Sequence, residues 1–357
     1  MRLLMTLDAV GGVWRYALDA AAALRERGVT CLLVGFGPPP DAARRDACAA
    51  LPDVELIWTE QPLDWMVQDE AALEDVGDTL ARLAAEWRAD LLHLNLPSQA
   101  AELATDRPVV VAAHSCVPTW WAQVRGTPLP PEWSWQLRRN RRGLHRADVV
   151  LVPTASHGEA AVDAYGRPDR LQVVLNTSSA PFSRQPKEPL VLAAGRWWDE
   201  AKNGAVLDAA AAASMWPVMM AGPLAGPGGA ALAPRHAQTL GEVSAARVLA
   251  LMQRAAVFAA PSVYEPFGLA VLEAACSGCV LVLSDIPSFR ELWDGAAMFV
   301  AARDAAAWTE ALNTLAVDPQ RREALAAQAH RRAAAIRSKP QADALLAAYR
   351  TCQVEAA

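Results

Sequence analysis

Cysteine is scarce and dispersed, with six residues (Cys31, Cys48, Cys116, Cys276, Cys279 and Cys352) scattered along 357 positions. That excludes a small disulfide-framed secreted scaffold and sets the expectation of a reducing compartment, the cytoplasm. Cys276 and Cys279 make one C-x-x-C, but with no second pair and no histidine at finger spacing it lacks the ligands of a zinc site. Positive charge is in deficit, 33 basic against 39 acidic residues for a net −6, so nucleic acid is not expected as a partner. No run of about 18 uncharged apolar residues is present to span a membrane, because Arg, Asp and Glu interrupt the Ala/Leu stretches. No G-x-G-x-x-G follows a strand, which disfavours a nicotinamide dehydrogenase. Phenylalanine and tyrosine are also sparse, at 6 and 4 residues, while tryptophan reaches 13. Such an inventory is odd for core filling and directs attention to where the indoles cluster.

Hydrophobic residues make up 53% of the chain, enough for sizeable cores, and the length exceeds one ordinary domain of about 100–200 residues. The N-terminal apolar run, 3–7, is followed by glycines and not by a cleavage site, so it reads as a buried strand. A helical pattern over 13–27, a stop at Gly28 and a second apolar run at 30–35 complete a β-α-β unit. The alternation continues through strands at 54–58, 91–94, 109–112 and 149–152, with helices at 70–87 and 132–146. At 180–189 the sequence APFSRQPKEP reads as a linker. Strands then recur at 190–194, 218–221, 257–260, 280–284 and 298–300, and only helical pattern follows Asp318. The expected fold is α/β, with two Rossmann-like, doubly wound parallel sheets. The domains are drawn at 1–185, 186–339 and a final helix at 340–357. Open parallel sheets bind ligands beyond the carboxyl ends of their strands, so a cleft between the two domains is expected to hold the site.

The loops after strands therefore carry the candidates. Gly11 and Gly12 either let the backbone approach a ligand at a helix start or simply form a tight turn. His114 follows a strand, placed either to face a substrate or to sit as a solvated cap. Gly195-Arg196 ends a strand and Lys202 precedes a helix, a pairing suited to a diphosphate or commonplace in a surface loop. The segment from Pro261 to Gly278, PSVYEPFGLAVLEAACSG, puts Glu265 in a post-strand loop, Gly268 at a helix start and Glu273 along that helix. Glu265 and Glu273 have seven residues between them. One carboxylate can then face a sugar while the other accepts from ribose hydroxyls.

With its paired glutamates in the setting E-P-F-G-L-x-x-x-E-A-x-x-x-G, this segment closely resembles retaining glycosyltransferases of family 4. The resemblance extends over nearly the whole chain, because Gly11-Gly12, His114, Gly195-Arg196 and Lys202 fall in that family's order. It implies a two-domain GT-B architecture whose last helix, after Pro340, crosses back to the N-terminal domain. It implies a UDP- or GDP-sugar donor, held by Arg196 and Lys202 at the diphosphate, by Phe267, Gly268 and Leu269 at phosphate or sugar, and by Glu273 at the ribose. Glu265 and His114 would be the catalytic pair touching the transferring sugar. No metal or other cofactor is expected, since the sequence shows neither a D-x-D motif nor a clustered His/Asp set. Retention by front-face attack needs no protein nucleophile. Ser115-Cys116 stands where many relatives carry an acidic residue after the histidine, which leaves the role of His114 less defined.

Four tryptophans, Trp120, Trp121, Trp133 and Trp135, crowd a Pro-rich stretch after His114. They suit a platform for a saccharide or glycolipid acceptor, or they pin a long loop to its own domain. Trp197 and Trp198 adjoin Arg196 in the same way. Arg138, Arg139, Arg141, Arg142 and Arg146 then load one helix with positive charge, which allows peripheral contact with the inner face of the membrane. The expected activity is sugar transfer in surface polysaccharide or glycoconjugate biosynthesis. The rivals are a nucleotide-sugar epimerase or hydrolase of the same fold and a non-catalytic sugar-nucleotide-binding protein.

Overall fold

A computed structural model describes residues 1–337 and 340–355. The chain divides into two compact units, Met1–Thr177 with Pro340–Ala357, and Ser178–Lys339. The first holds a seven-stranded sheet built from β1 (Arg2–Asp8), β2 (Thr30–Phe36), β3 (Val54–Trp58), β4 (Leu91–Leu94), β5 (Val109–Ala112), β6 (Val149–Val152) and β7 (Leu171–Val173). Its order is β3-β2-β1-β4-β5-β6-β7, all parallel. Helices α1 (Gly12–Arg25), α2 (Ala42–Ala49), α3 (Val76–Glu86), α4 (Val117–Arg125), α5 (Ser134–Arg146) and α6 (Ala155–Tyr165) connect the strands.

The pleat explains why these strands read as continuous apolar runs. Leu3, Met5 and Leu7 enter the core on one face of the sheet, and Leu4, between them, enters the core on the other. With both faces covered, alternation of apolar and polar residues is not required. Helix α1 buries Trp14, Ala17, Ala21 and Leu24 at helical spacing, and the chain leaves it through Gly28 at φ +77°.

The second unit has six parallel strands: β8 (Glu188–Ala194), β9 (Val218–Ala221), β10 (Gln238–Gly241), β11 (Ala255–Ala260), β12 (Val280–Ser284) and β13 (Met298–Val300). They lie in the order β10-β9-β8-β11-β12-β13. Its helices are α7 (Gly204–Ala211), α8 (Ala245–Arg254), α9 (Leu269–Cys276), α10 (Pro287–Trp293), α11 (Ala305–Val317) and α12 (Pro319–Arg337). The last helix, α13 (Gln341–Glu355), belongs to the first unit, where Ala342, Leu345, Ala348, Tyr349 and Cys352 join the core beneath α1.

The division falls between Thr177 and Ser178, earlier than the 185/186 boundary drawn from composition. The proline-rich stretch is not a free linker, because its polar groups are engaged within the second unit. Ser178 donates to Glu273, Ser183 N–H donates to Cys276 O, and Lys187 Nζ donates to the carbonyls of Met252, Gln253 and Ser277. The stretch read as a Pro-rich loop is helical over α4, since Pro118 falls in its first turn, where no amide donor is needed, and Gly126 ends it in the left-handed region. Among the described residues no helix is long and apolar enough to cross a membrane.

Candidate active site

Strand order reverses between β1 and β4 in the first unit and between β8 and β11 in the second. At such a switch point the neighbouring connections leave to opposite sides and open a crevice beyond the strand ends. The candidate residues occupy these positions. Asp8 to Gly12 follows β1, His114 follows β5 on the far side of β4, Gly195-Arg196 follows β8, and Glu265 lies in the loop after β11.

In the second unit, Asp199 caps the turn Glu200–Lys202 by accepting from the Ala201 amide at 3.0 Å. Asn203, at φ +53°, then sends its Nδ2 to the carbonyls of Pro261 and Ala302, so the loop after β8 is tied to the loop after β11. That tie brings Lys202 to Glu265, and Nζ donates to the carboxylate with both side chains about four-fifths buried. Ser288 Oγ donates to the Glu265 carbonyl and fixes its backbone. Arg196 donates through Nη2 to Asp199 at 3.3 Å and lies over the Trp198 ring at 5.5 Å, while its buried Nε has no hydrogen-bond partner. An unpaired guanidinium donor at a strand end is a ready partner for an anion. Gly222, at φ +123°, presses so closely on Gly195 that a Cβ would come within 2.0 Å of its carbonyl oxygen.

Gly268 adopts φ +87° where α9 begins, and a Cβ there would meet Phe289 at 3.0 Å, so glycine is required by backbone and space alike. Leu269 is half-buried at the first helical position. Phe267 is only 3% exposed, so its ring packs into the protein and offers no face to a ligand. Glu273 is half-buried along α9, and its Oε1 accepts from Ser178 Oγ at 3.0 Å.

In the first unit, Asp8 accepts from the amides of Val10 and Gly11 at 2.8 and 3.1 Å. The Gly11 amide is therefore already bonded, as in a tight turn, and the carboxylate shapes the entry into α1. His114 Nε2 lies 2.8 Å from Asn95 Oδ1, and its ring stands edge-on to Tyr16 at 4.4 Å. Burial, with smaller contributions from His93 and His157 nearby, pushes the His114 imidazole down to about 3. It is therefore neutral at physiological pH. Sequence reading missed Asp8, Tyr16, Asn95 and Asn203; an aspartate three residues before Gly11 and an asparagine just ahead of the α7 glycine were the available signals.

The four tryptophans after His114 do not form one surface. Trp135 is buried, 6% exposed, with Nε1 donating to Gln68 O at 3.3 Å. It is a core residue and not part of an acceptor platform. Trp120 and Trp121 pair on α4 with centroids 6.3 Å apart beneath the Arg125 guanidinium, and Trp133 is half-buried on the turn before α5. The arginines of α5 are likewise divided. Arg139 is 1% exposed and donates to the carbonyls of Ser98 and Leu73, and Arg142 pairs with Glu70 and Glu102. Arg138, Arg141 and Arg142 are exposed on α5, so Arg139 is the member of the cluster turned inward. All six cysteines are buried as free thiols, and burial pushes Cys279 up to about 11, which leaves the C-x-x-C inert.

Comparison with known proteins gives two family matches, Glycosyltransferase Family 4 over residues 10–177 and Glycosyl transferases group 1 over residues 229–332. Glycogen synthase of Mycobacterium tuberculosis is 36% identical over 111 residues, which cover 30% of this chain and 25% of that protein. The match thus spans about a quarter of the relative's length. Among solved structures, sucrose-phosphate synthase from Thermosynechococcus elongatus superposes with a TM-score of 0.80 at 16% identity, covering 99% of this chain and 100% of that one. Anabaena HepE in complex with UDP-glucose gives a TM-score of 0.75 at 18% identity, over 97% and 100% of the two chains.

Proposed function

The chain belongs to the GT-B glycosyltransferases of the family 4 type, and from that premise we propose that it moves a sugar from a nucleoside-diphosphate donor to a saccharide or glycolipid acceptor with retention of anomeric configuration. The observation that carries this reading is the arrangement after β8 and β11, where Lys202 is paired with Glu265 and Arg196 keeps an unpartnered buried Nε. Arg196 and Lys202 take the donor diphosphate and neutralise the charge that develops on it as the glycosidic bond breaks, a role a metal ion fills in other enzymes. Glu265, released from Lys202 by the diphosphate, turns to the donor sugar. Glu273 accepts from the ribose hydroxyls, and the Gly268 and Leu269 amides meet phosphate or sugar at the start of α9. The UDP-glucose held by HepE favours a UDP-sugar as donor.

His114 contacts a sugar hydroxyl. Being neutral, it is not the acid that protonates the leaving group, and the acceptor hydroxyl gives its proton to the departing phosphate oxygen on the face where the bond forms. Trp120, Trp121 and Trp133 offer apolar faces to an acceptor ring, with Arg125 above the first two.

The test is transfer from UDP- and GDP-sugars to a panel of saccharide acceptors, with the new anomeric centre read by NMR. An α-linked donor giving an α-linked product is expected. An inverted product, or sugar released equally fast without any acceptor, would overturn the reading in favour of an inverting or hydrolytic enzyme.

A further inference from the structure

His114 is held from two sides by residues that are themselves fixed by buried bonds. On one side its Nε2 faces Asn95 Oδ1 at 2.8 Å. Thr6 determines which end of the Asn95 amide points there. Asn95 Nδ2 donates to the Thr6 carbonyl, and the opposite orientation would set carbonyl against carbonyl. The backbone N–H of Asn95 donates to Thr6 Oγ1 at 2.8 Å, and that hydroxyl donates its own proton to Gln99 Oε1 at 2.7 Å. Thr6, Asn95 and Gln99 are all buried. With every direction assigned, Asn95 presents an acceptor to the imidazole, and His114 must supply the proton from Nε2.

On the other side the Tyr16 ring stands edge-on to the imidazole at 68° between planes. The Tyr16 hydroxyl lies 3.3 Å from His93 Nε2, and His93 Nδ1 lies 2.7 Å from the hydroxyl of Tyr349 on α13. Tyr16, His93 and Tyr349 are buried as well. Thus Asn95 sets the proton while Tyr16 sets the plane of the ring.

We propose that Asn95 is a positioning residue that locks His114 as the Nε2–H tautomer, leaving Nδ1 to accept a hydrogen bond from a hydroxyl of the sugar substrate. The proposal rests on the reading of His114 as a substrate contact. It makes His114 a selector for a hydroxyl: a deoxy sugar lacking that group leaves the Nδ1 lone pair without a donor, and a phosphate or carbonyl oxygen at the same place has no proton to offer.

The tautomer is read directly from long-range 15N–1H correlation spectra of the imidazoles in the full-length protein at neutral pH. The expected result is a His114 ring protonated at Nε2 alone in the wild type and a mixture of tautomers in Asn95→Ala. A wild-type ring protonated at Nδ1 or on both nitrogens, or an Asn95→Ala spectrum identical to the wild type, would overturn the proposal. Kinetics give a second readout that does not require Asn95→Ala to fold. Asparagine carries its amide oxygen where the histidine Nδ1 lies, and glutamine carries it near Nε2. His114→Asn should therefore keep a kcat about tenfold or more above His114→Gln, with donor KM alike in the two. The reverse order would contradict the acceptor role of Nδ1. If instead His114→Ala transfers at the wild-type rate while the wild-type spectrum shows the Nε2–H tautomer, the substrate contact has failed and the positioning by Asn95 stands.

Discussion

Lys202 donates to the carboxylate of Glu265, joining residues 63 apart in sequence at the switch point of the second unit's sheet. Without ligand the two groups neutralise each other, so a diphosphate arriving at Lys202 competes with Glu265. Glu265→Gln should remove that competition. UDP is expected to bind Glu265→Gln more tightly than the wild type in calorimetric titration. Transfer is expected to fall by about 10²–10³-fold, the usual cost of losing one polar contact to a transition state. Unchanged UDP binding in Glu265→Gln would place the carboxylate outside the diphosphate's reach, and weaker binding would contradict the competition.

Arg196 offers an unpartnered Nε, and its guanidinium lies over Trp198. A lysine can supply the charge but neither the fork nor the stacked plane. Arg196→Lys should therefore raise the donor KM about tenfold or more, equivalent to roughly 1.4 kcal/mol or more of lost binding. Steady-state kinetics with the donor varied would show this, and an unchanged KM would mean that charge alone suffices there.

Acid should destabilise the first unit well before its carboxylates titrate. Burial pushes His93 and His157 down to about 4 and His114 to about 3, from an ordinary 6.5. As pH falls through 6.5 the unfolded chain takes up protons that the folded unit refuses, so stability that is fully present above 6.5 is lost progressively down to about 4. For His93 alone the drop corresponds to about 3 kcal/mol at about 1.4 kcal/mol per pH unit. Scanning calorimetry should show the melting temperature of the first unit falling between pH 7 and 5. A flat profile would mean that these histidines are open to water.

Two tryptophans fourteen positions apart should behave oppositely. Trp135→Ala removes a core side chain and should cost about 3–5 kcal/mol of stability, with acceptor KM unchanged in the folded fraction. Trp121 is half-buried, and its Nε1 donates to Thr127 at 3.2 Å. Trp121→Ala should cost much less stability and raise the acceptor KM several-fold. Denaturant melts and acceptor titrations separate the two, and an unchanged acceptor KM in Trp121→Ala would remove α4 from the acceptor site.

The strands at 91–94, 109–112, 149–152, 218–221 and 280–284 were legible because a parallel strand covered on both faces leaves an unbroken apolar run, and the edge strands at 54–58 and 298–300 were legible because they stay mostly apolar. Strands β7 and β10 were not, because each lies at a sheet edge, is half-exposed and carries no such run. Helix α4 was hidden by its prolines, only one of which, Pro118, falls inside it. The charged and glycine candidates could be placed after strands from the sequence pattern alone. Asn95 was not legible as one, since what fixes it is Thr6, 89 residues away, and no local pattern records that pairing. Trp135 stayed open between platform and anchor for a related reason: composition cannot tell an indole that faces the core from one that faces solvent.

The measurement that most directly tests the central claim is calorimetric titration of UDP, GDP and ADP into the wild type and into the folded double variant Arg196→Ala/Lys202→Ala. One nucleoside diphosphate should bind the wild type saturably, and the double variant should lose that binding while its fold is unchanged by circular dichroism. If none of the three binds the wild type, or if the double variant binds as tightly, the assignment of the loops after β8 and β11 to a nucleotide-sugar diphosphate is contradicted.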